Sequence, residues 1–249
     1  MSDKLHVCML AHHFHPPWNE GYQNSMKCLV ESLSEKIPIS VITTYDGGEI
    51  EKVGKADIYY LKVPSFIAQI RKKRGSSILF DEAYDVIRFS RFTRNLSPDI
   101  VHIQNVKKGI NSYLNSYAKV VVQVSKKLDI KSMFDYIDKK LLSLTKPYCL
   151  CTSSFLEKDC RKFSKWKRIE VIPPMLDTYR FFPLDKKEAR KKLGLESVLD
   201  TNDFLIGYVG RATPGRGVMT LIDAFQDFIL SKKKENVKLM LHFSEDLCE

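Results

Sequence analysis

No stretch of the 249-residue chain approaches the roughly 18 uncharged apolar residues that a membrane-spanning helix needs. The N-terminus also lacks the features of a signal peptide. His6–Ala11 is a short apolar run that leads into a His- and Pro-rich loop, with no small-residue cleavage site. The expected location is therefore the cytosol. Paired C-x-x-C spacing is missing too. Cys8, Cys28, Cys149, Cys151, Cys160 and Cys248 indicate neither a zinc site nor a disulfide framework, and most are expected to be buried thiols acting as small hydrophobes. No zinc-finger, RRM or KH signature occurs, so nucleic acid is not an expected partner.

What is present is ordinary globular material, 44% hydrophobic and 28% charged, enough to bury a real core in one or two domains. The formal charge is +10. Its excess gathers at Arg71–Arg74, at Lys186–Lys187 with Arg190–Lys192, and at Lys232–Lys234. Such a field attracts anions, whether nucleotide phosphates or acidic lipid headgroups. A solvated basic surface is the plainer reading of any single cluster.

Strand and helix patterns alternate along the chain. Short apolar runs at His6–Ala11, Ile39–Thr44, Ile58–Val63, Ile100–Gln104, Val120–Val124, Cys149–Thr152 and Ile169–Ile172 predict strands covered on both faces. Gly21–Lys36, Asp81–Leu96 and Ile130–Leu144 predict amphipathic helices, and Ser154 with Glu157 predicts a capping box opening a helix through Phe163. These make a complete, doubly wound α/β domain of Rossmann type over residues 1–174.

Residues 175–202 read as a hinge. Pro173-Pro174 and Phe182-Pro183 break regular structure around it, and a short basic helix, Lys186–Leu193, is closed by Gly194 at its C′ position. The rhythm restarts over 203–249. A strand at Phe204–Val209, a Gly-rich loop at Gly210–Gly217, a helix at Val218–Ser231 and a strand at Val237–Phe243 open a second Rossmann-type domain. Two strands and one helix cannot cover two sheet faces, so this domain is expected to be incomplete by itself.

The loop Gly210-Arg211-Ala212-Thr213-Pro214-Gly215-Arg216-Gly217 sits between a strand and a helix. Backbone N–H groups, the positive end of a helix dipole and two arginines make that setting suited to phosphate. A P-loop reading conflicts with Arg216 in place of Lys and with Gly217 in place of the Mg²⁺-holding hydroxyl. A dinucleotide fold would want its glycines after the first strand, where only Gly21 occurs. A turn that only shapes a strand–helix corner is the third reading.

Around this loop the order of short motifs is specific. Val171-Ile172-Pro173-Pro174-Met175-Leu176-Asp177, Phe182-Pro183, Leu193-Gly194-Leu195, Val209-Gly210-Arg211, Arg216-Gly217 and Leu221-Ile222-Asp223-Ala224-Phe225 follow one another. As a set they resemble the hinge and second-domain entry of retaining GT-B glycosyltransferases, specifically glycosyltransferase family 4. Ser97–His102 resembles the family's P-D-V-V-H strand, and Pro16–Gly21 lies where the family has a Gly-Gly loop.

The resemblance implies an acceptor-binding first domain, with Asn19, Glu20, Gly21, His102 and Ser125 at its cleft. It implies a second domain that binds a nucleotide-diphosphate sugar through Gly210, Arg211, Gly215, Arg216 and Gly217. Sugar would pass to a glycan or lipid-linked acceptor with retained anomeric configuration. No Asp-x-Asp occurs, and neither a metal nor a cofactor beyond the donor substrate is expected. Several positions depart from the family. Ser125 stands where a His is frequent, Pro173-Pro174 replaces an Asn-Gly, and by the resemblance the family's acidic Glu-x7-Glu element would lie beyond residue 249. The isolated chain is therefore expected to be inactive. It would be a fragment of a longer enzyme or, alternatively, a non-catalytic half working with a partner chain that completes the second domain.

Two segments stay open. His12, His13 and His15 suggest metal ligands, with His13 and His15 sharing a face, but no local acid or Cys supplies a convincing third or fourth donor, so loop histidines are the plainer reading. Phe66–Arg74 reads equally as a basic amphipathic helix touching anionic membrane at its inner face or as a solvated loop.

Overall fold

The computed structural model describes residues 5–12, 14, 16, 18, 21–45, 51–62, 78–104, 107–200, 202–210, 212, 214–232 and 236–243. The chain forms two compact units, Met1–Thr178 and Tyr179–Glu249.

In the first unit the apolar runs become strands β1 (Val7–His12), β2 (Ile39–Tyr45), β4 (Ala56–Lys62), β5 (Ile100–Ile103), β6 (Lys119–Val124), β7 (Tyr148–Cys151) and β8 (Arg168–Val171). A two-residue strand, β3 (Lys52–Val53), pairs antiparallel with β4, and every other pairing is parallel. The sheet order is β3-β4-β2-β1-β5-β6-β7-β8. From β1 the chain builds outward through β2 and β4, then returns to β5 and builds the other way. The point of reversal lies between β1 and β5.

Alternation along the strands feeds two cores. Cys8, Leu10, Val101, Ile103, Val122 and Val124 face the cluster completed by Phe89 of helix α2 (Ile78–Leu96), Leu142 of α4 (Met133–Thr145) and Leu156 of α5 (Ser154–Phe163). Val7, Met9, Ala11, Ile39 and Val41 face the opposite cluster, where Met26 and Val30 of α1 (Gly21–Ser34) pack on them. Fully burying such a side chain contributes about 1.5–3 kcal/mol.

Three local expectations are corrected. The helix expected from Ile130 starts at Met133, because Ser132 adopts extended backbone and its Oγ accepts from the Asp135 N–H at 3.2 Å. The N-cap of α5 is Ser153, not Ser154. Ser153 Oγ accepts from the Leu156 N–H at 3.3 Å, and Glu157 instead pairs with Arg161 one turn on. The third correction is a helix that the sequence pattern did not predict, α3 (Lys108–Leu114). Its buried residues, Gly109, Asn111 and Ser112, are small or polar, and its first turn is held from outside. The Asp138 carboxylate on α4 accepts from the Gly109 and Ile110 N–H groups at 2.8 and 3.1 Å. A Cβ on Gly109 would lie 1.9 Å from the Asp138 carbonyl oxygen, so only glycine permits this approach.

The second unit contains α6 (Lys186–Lys192), β9 (Phe204–Gly210), α7 (Val218–Lys232) and β10 (Val237–Phe243), with β9 and β10 parallel. Asp185 caps α6, and Gly194 follows its end with φ +66°, as the sequence pattern predicts. Arg190 ties α6 to the start of β9 by donating to the Asp200 and Asp203 carbonyls at 2.9 and 2.6 Å. No helix among the described residues is long and apolar enough to cross a membrane. Phe66–Arg74, His13 and His15 lie outside the described residues.

Candidate functional site

In a doubly wound sheet, ligands bind outside the carboxyl ends of the strands where the strand order reverses. Here that point is the edge formed by His12, Ile103 and Val124, the last residues of β1, β5 and β6. A cavity of about 520 Å³ opens there, with His12 on its wall. The segments that leave β5 and β6 line it with Lys107, Lys108, Lys126, Lys127 and Lys131, and with Asp129, Asp135 and Asp138.

The charges are partly matched. Lys107 Nζ lies 3.1 Å from Asp135 Oδ1, and Lys127 Nζ lies 3.8 Å from Asp129 Oδ1. Asp138 is engaged by the α3 backbone. Burial pushes its carboxyl up from the usual range, while the N–H bonds from Ile110 and Gly109 oppose that shift. Burial holds the Lys108 amine below its ordinary value. Asp138 opposes this, and repulsion from Lys126 and Lys107 adds to it.

Three of the expected acceptor residues, Gly21, His102 and Ser125, lie among the described ones. Gly21 opens α1 and is exposed, and Ser125 is exposed just after β6. Asn19 and Glu20 lie outside the described residues. His102 occupies a separate cavity of about 290 Å³ on the face of the sheet that carries Met9, Ile100, Val121 and Leu150. Gln104 and Gln123 line it as well, with Gln104 Nε2 donating to Gln123 Oε1 at 2.9 Å. Burial pushes His102 down to about 4, against a hydrogen bond with Gln123, so the ring is neutral at pH 7. Its Nε2 is buried without a partner.

Among the described residues one group has metal-ligand geometry, the buried thiols of Cys149, Cys151 and Cys160, whose sulfurs lie within 4.8 Å of one another. Burial pushes the Cys151 thiol up to about 12. A structural zinc site takes four ligands, and this group has three. The thiols pack as core between β7 and α5.

In the second unit β9 runs into the glycine loop as expected. Residues Pro214–Arg216 form a single 3-10 turn, and α7 begins at Val218. Gly217 has φ +70°, a conformation that only glycine adopts without strain, and its carbonyl accepts the Leu221 N–H at 3.0 Å. Gly215, Arg216 and Gly217 are exposed, and nothing lies within 4 Å of a Cβ built on Gly215 or Gly217. In the first turn of α7, Met219 and Thr220 are exposed as well, while Val218 is buried. Gly210 ends β9, and Arg211 lies outside the described residues.

The lysines of the first unit's cavity leave little trace in the sequence, because Lys107–Lys108 and Lys126–Lys127 are isolated pairs, each a few residues after an apolar strand. They become a site only when parallel pairing sets β5 beside β6.

No family model matches the sequence, and no curated protein matches it. Solved structures do share the fold. A glycosyltransferase from Rickettsia africae ESF-5 superposes with a TM-score of 0.61 at 14% identity, over 98% of this chain and 69% of that one. Sucrose-phosphate synthase from Thermosynechococcus elongatus gives 0.58 at 13%, over 97% and 71%. UGT89C1 from Arabidopsis thaliana, complexed with UDP-L-rhamnose, gives 0.55 at 11%, over 98% and 71%. At these identities the likeness is one of fold, and the α/β, GT-B-like architecture expected from the sequence is the fold this chain has.

Proposed function

We propose that the chain takes part in transfer of a sugar from a nucleotide-diphosphate sugar to a glycan or lipid-linked acceptor, as a family 4-like glycosyltransferase. The observation that carries this reading is the β9–loop–α7 corner of the second unit. There the N-terminus of α7, a left-handed Gly217 and the exposed Arg216 make a cradle for a diphosphate. The shared fold with the Rickettsia glycosyltransferase supports it.

In this reading Arg216, with Arg211 of the same loop sequence, offsets negative charge building on the leaving diphosphate, which is the main demand of glycosyl transfer. Gly210, Gly215 and Gly217 let the backbone approach the phosphates. Transfer retains anomeric configuration and uses cationic side chains in place of a metal. The first unit holds the acceptor near Gly21 and Ser125, with Asn19 and Glu20 next to them in sequence.

The test is a panel of UDP, GDP, ADP and TDP and their sugars. One nucleoside diphosphate binds, and Arg216→Gln weakens it by about tenfold, the loss of one charge-assisted contact. Product formed by the active assembly carries the donor's anomeric configuration. Failure of every member of the panel to bind, or inversion in the product, would contradict the reading.

A second reading is favoured by one observation. From Tyr179 onward, Val218 is the only buried hydrophobic side chain among the described residues. A non-catalytic half, whose second unit is covered by further polypeptide or a partner chain, fits that exposure. Turnover by the 249 residues alone would exclude it.

A further inference from the structure

We propose that the lysine-lined cavity at the carboxyl ends of β1, β5 and β6 binds a phosphate group, so that the acceptor taken by the first unit is a phosphorylated one. The word acceptor rests on the sugar-transfer reading, whereas the phosphate site rests on the cavity itself.

The three carboxylates in the wall are already engaged. Asp129 pairs with Lys127, Asp135 pairs with Lys107, and Asp138 accepts two backbone N–H groups. Lys108, Lys126 and Lys131 form no ion pair among the described residues. Three uncommitted ammonium groups therefore share one cavity with two that are committed.

Five lysines face three carboxylates in this wall. Lys108 is desolvated, and repulsion from Lys126 and Lys107 opposes its attraction to Asp138. A dianion placed among them would relieve both effects at once. The cations among the described lining residues are lysines, which bind phosphate as point charges. The position supports a ligand site independently, since it is the point where the strand order reverses. Its volume, about 520 Å³, falls within the usual range for small-molecule sites. The phosphate could be carried by a lipid headgroup or by a water-soluble phosphate ester.

The experiment titrates inorganic phosphate into the whole 249-residue chain by calorimetry at constant ionic strength, with no sugar donor present. Binding weakens by about tenfold in Lys126→Gln/Lys131→Gln, whose side chains are exposed and whose loss leaves the fold unchanged by circular dichroism. Lys108→Met weakens binding as well, since it deletes one of the ammonium groups in the wall. Arg216→Gln leaves this binding intact. Equal phosphate affinity in the wild type and the Lys126→Gln/Lys131→Gln variant, or a signal lost only with Arg216→Gln, overturns the proposal.

Co-sedimentation with phosphatidylcholine vesicles, with and without phosphatidic acid, separates the two sources. Phosphatidic-acid dependence that disappears in Lys126→Gln/Lys131→Gln assigns the lipid headgroup. Inorganic phosphate binding without vesicle binding assigns the soluble ester. Phosphate binding that persists in a chain which never binds a nucleoside diphosphate would break the sugar-transfer reading and leave this site standing.

Discussion

The two units are made of similar strands and differ in what surrounds them. β9 reads FLIGYVG and β10 reads VKLMLHF, as apolar as VCMLAH of β1. Yet Met9 and Leu10 of β1 are fully buried, while Phe204 and Val209 of β9 are 62% and 75% exposed. Eight strands with helices over both faces bury their apolar runs, and two strands with a single crossover helix do not. Burial is thus set by how many elements stack around a strand rather than by the hydropathy of the strand itself.

That contrast can be broken or sharpened by substitution. Phe89 is fully buried between α2 and the sheet, so Phe89→Ala lowers unfolding stability by about 3–5 kcal/mol, read as a fall in the denaturant midpoint. Phe204→Ala in the second unit changes it by less than about 1 kcal/mol. Comparable losses at the two positions would refute the contrast.

The next effect is one of pH. His102 has a folded value of about 4 against an ordinary 6.5. Above about pH 6.5 the ring is neutral folded or unfolded, and stability is full. As the pH falls from 6.5 to 4 the unfolded chain takes up a proton that the folded chain refuses. Stability is lost across that window, by up to about 3 kcal/mol. His102→Gln flattens this slope in denaturation curves measured from pH 4 to 7, and an unchanged slope would show that the cavity does not desolvate the ring.

Helix caps give smaller changes. Ser153→Ala removes an acceptor from the first turn of α5 and costs about 1 kcal/mol. Ser154→Ala, one residue on, leaves stability within about 0.5 kcal/mol. Smallest is Leu230→Ser on α7. Leu230 is 69% exposed, so the substitution improves solubility and changes stability by less than about 0.5 kcal/mol.

Much of this fold was legible in the sequence, for a physical reason. A strand buried on both faces must be continuously apolar, and Val120–Val124 or Cys149–Cys151 show that without help from the rest of the chain. Gly194 and the loop through Gly217 were legible because helix ends and left-handed turns demand glycine locally. Elements whose cause lies elsewhere were not. Helix α3 exists because Asp138, some thirty positions away, caps it, and β3 is too short to leave a pattern. The same holds for the site. Gly210–Gly217 is contiguous and could be read, whereas the lysine cavity is assembled from separate loops. His102 followed the strand pattern correctly, but the pattern could not show that its face holds an apolar cavity lined by Gln104 and Gln123 rather than the strand-end edge.

The most direct test is hydrogen–deuterium exchange of the whole chain with and without the nucleoside diphosphate that binds. Sugar transfer through the glycine loop predicts slowed exchange at the amides of Gly215–Val218 and the first turn of α7, with β1–β8 unchanged. Protection confined to the first unit, or none at the loop, would contradict it.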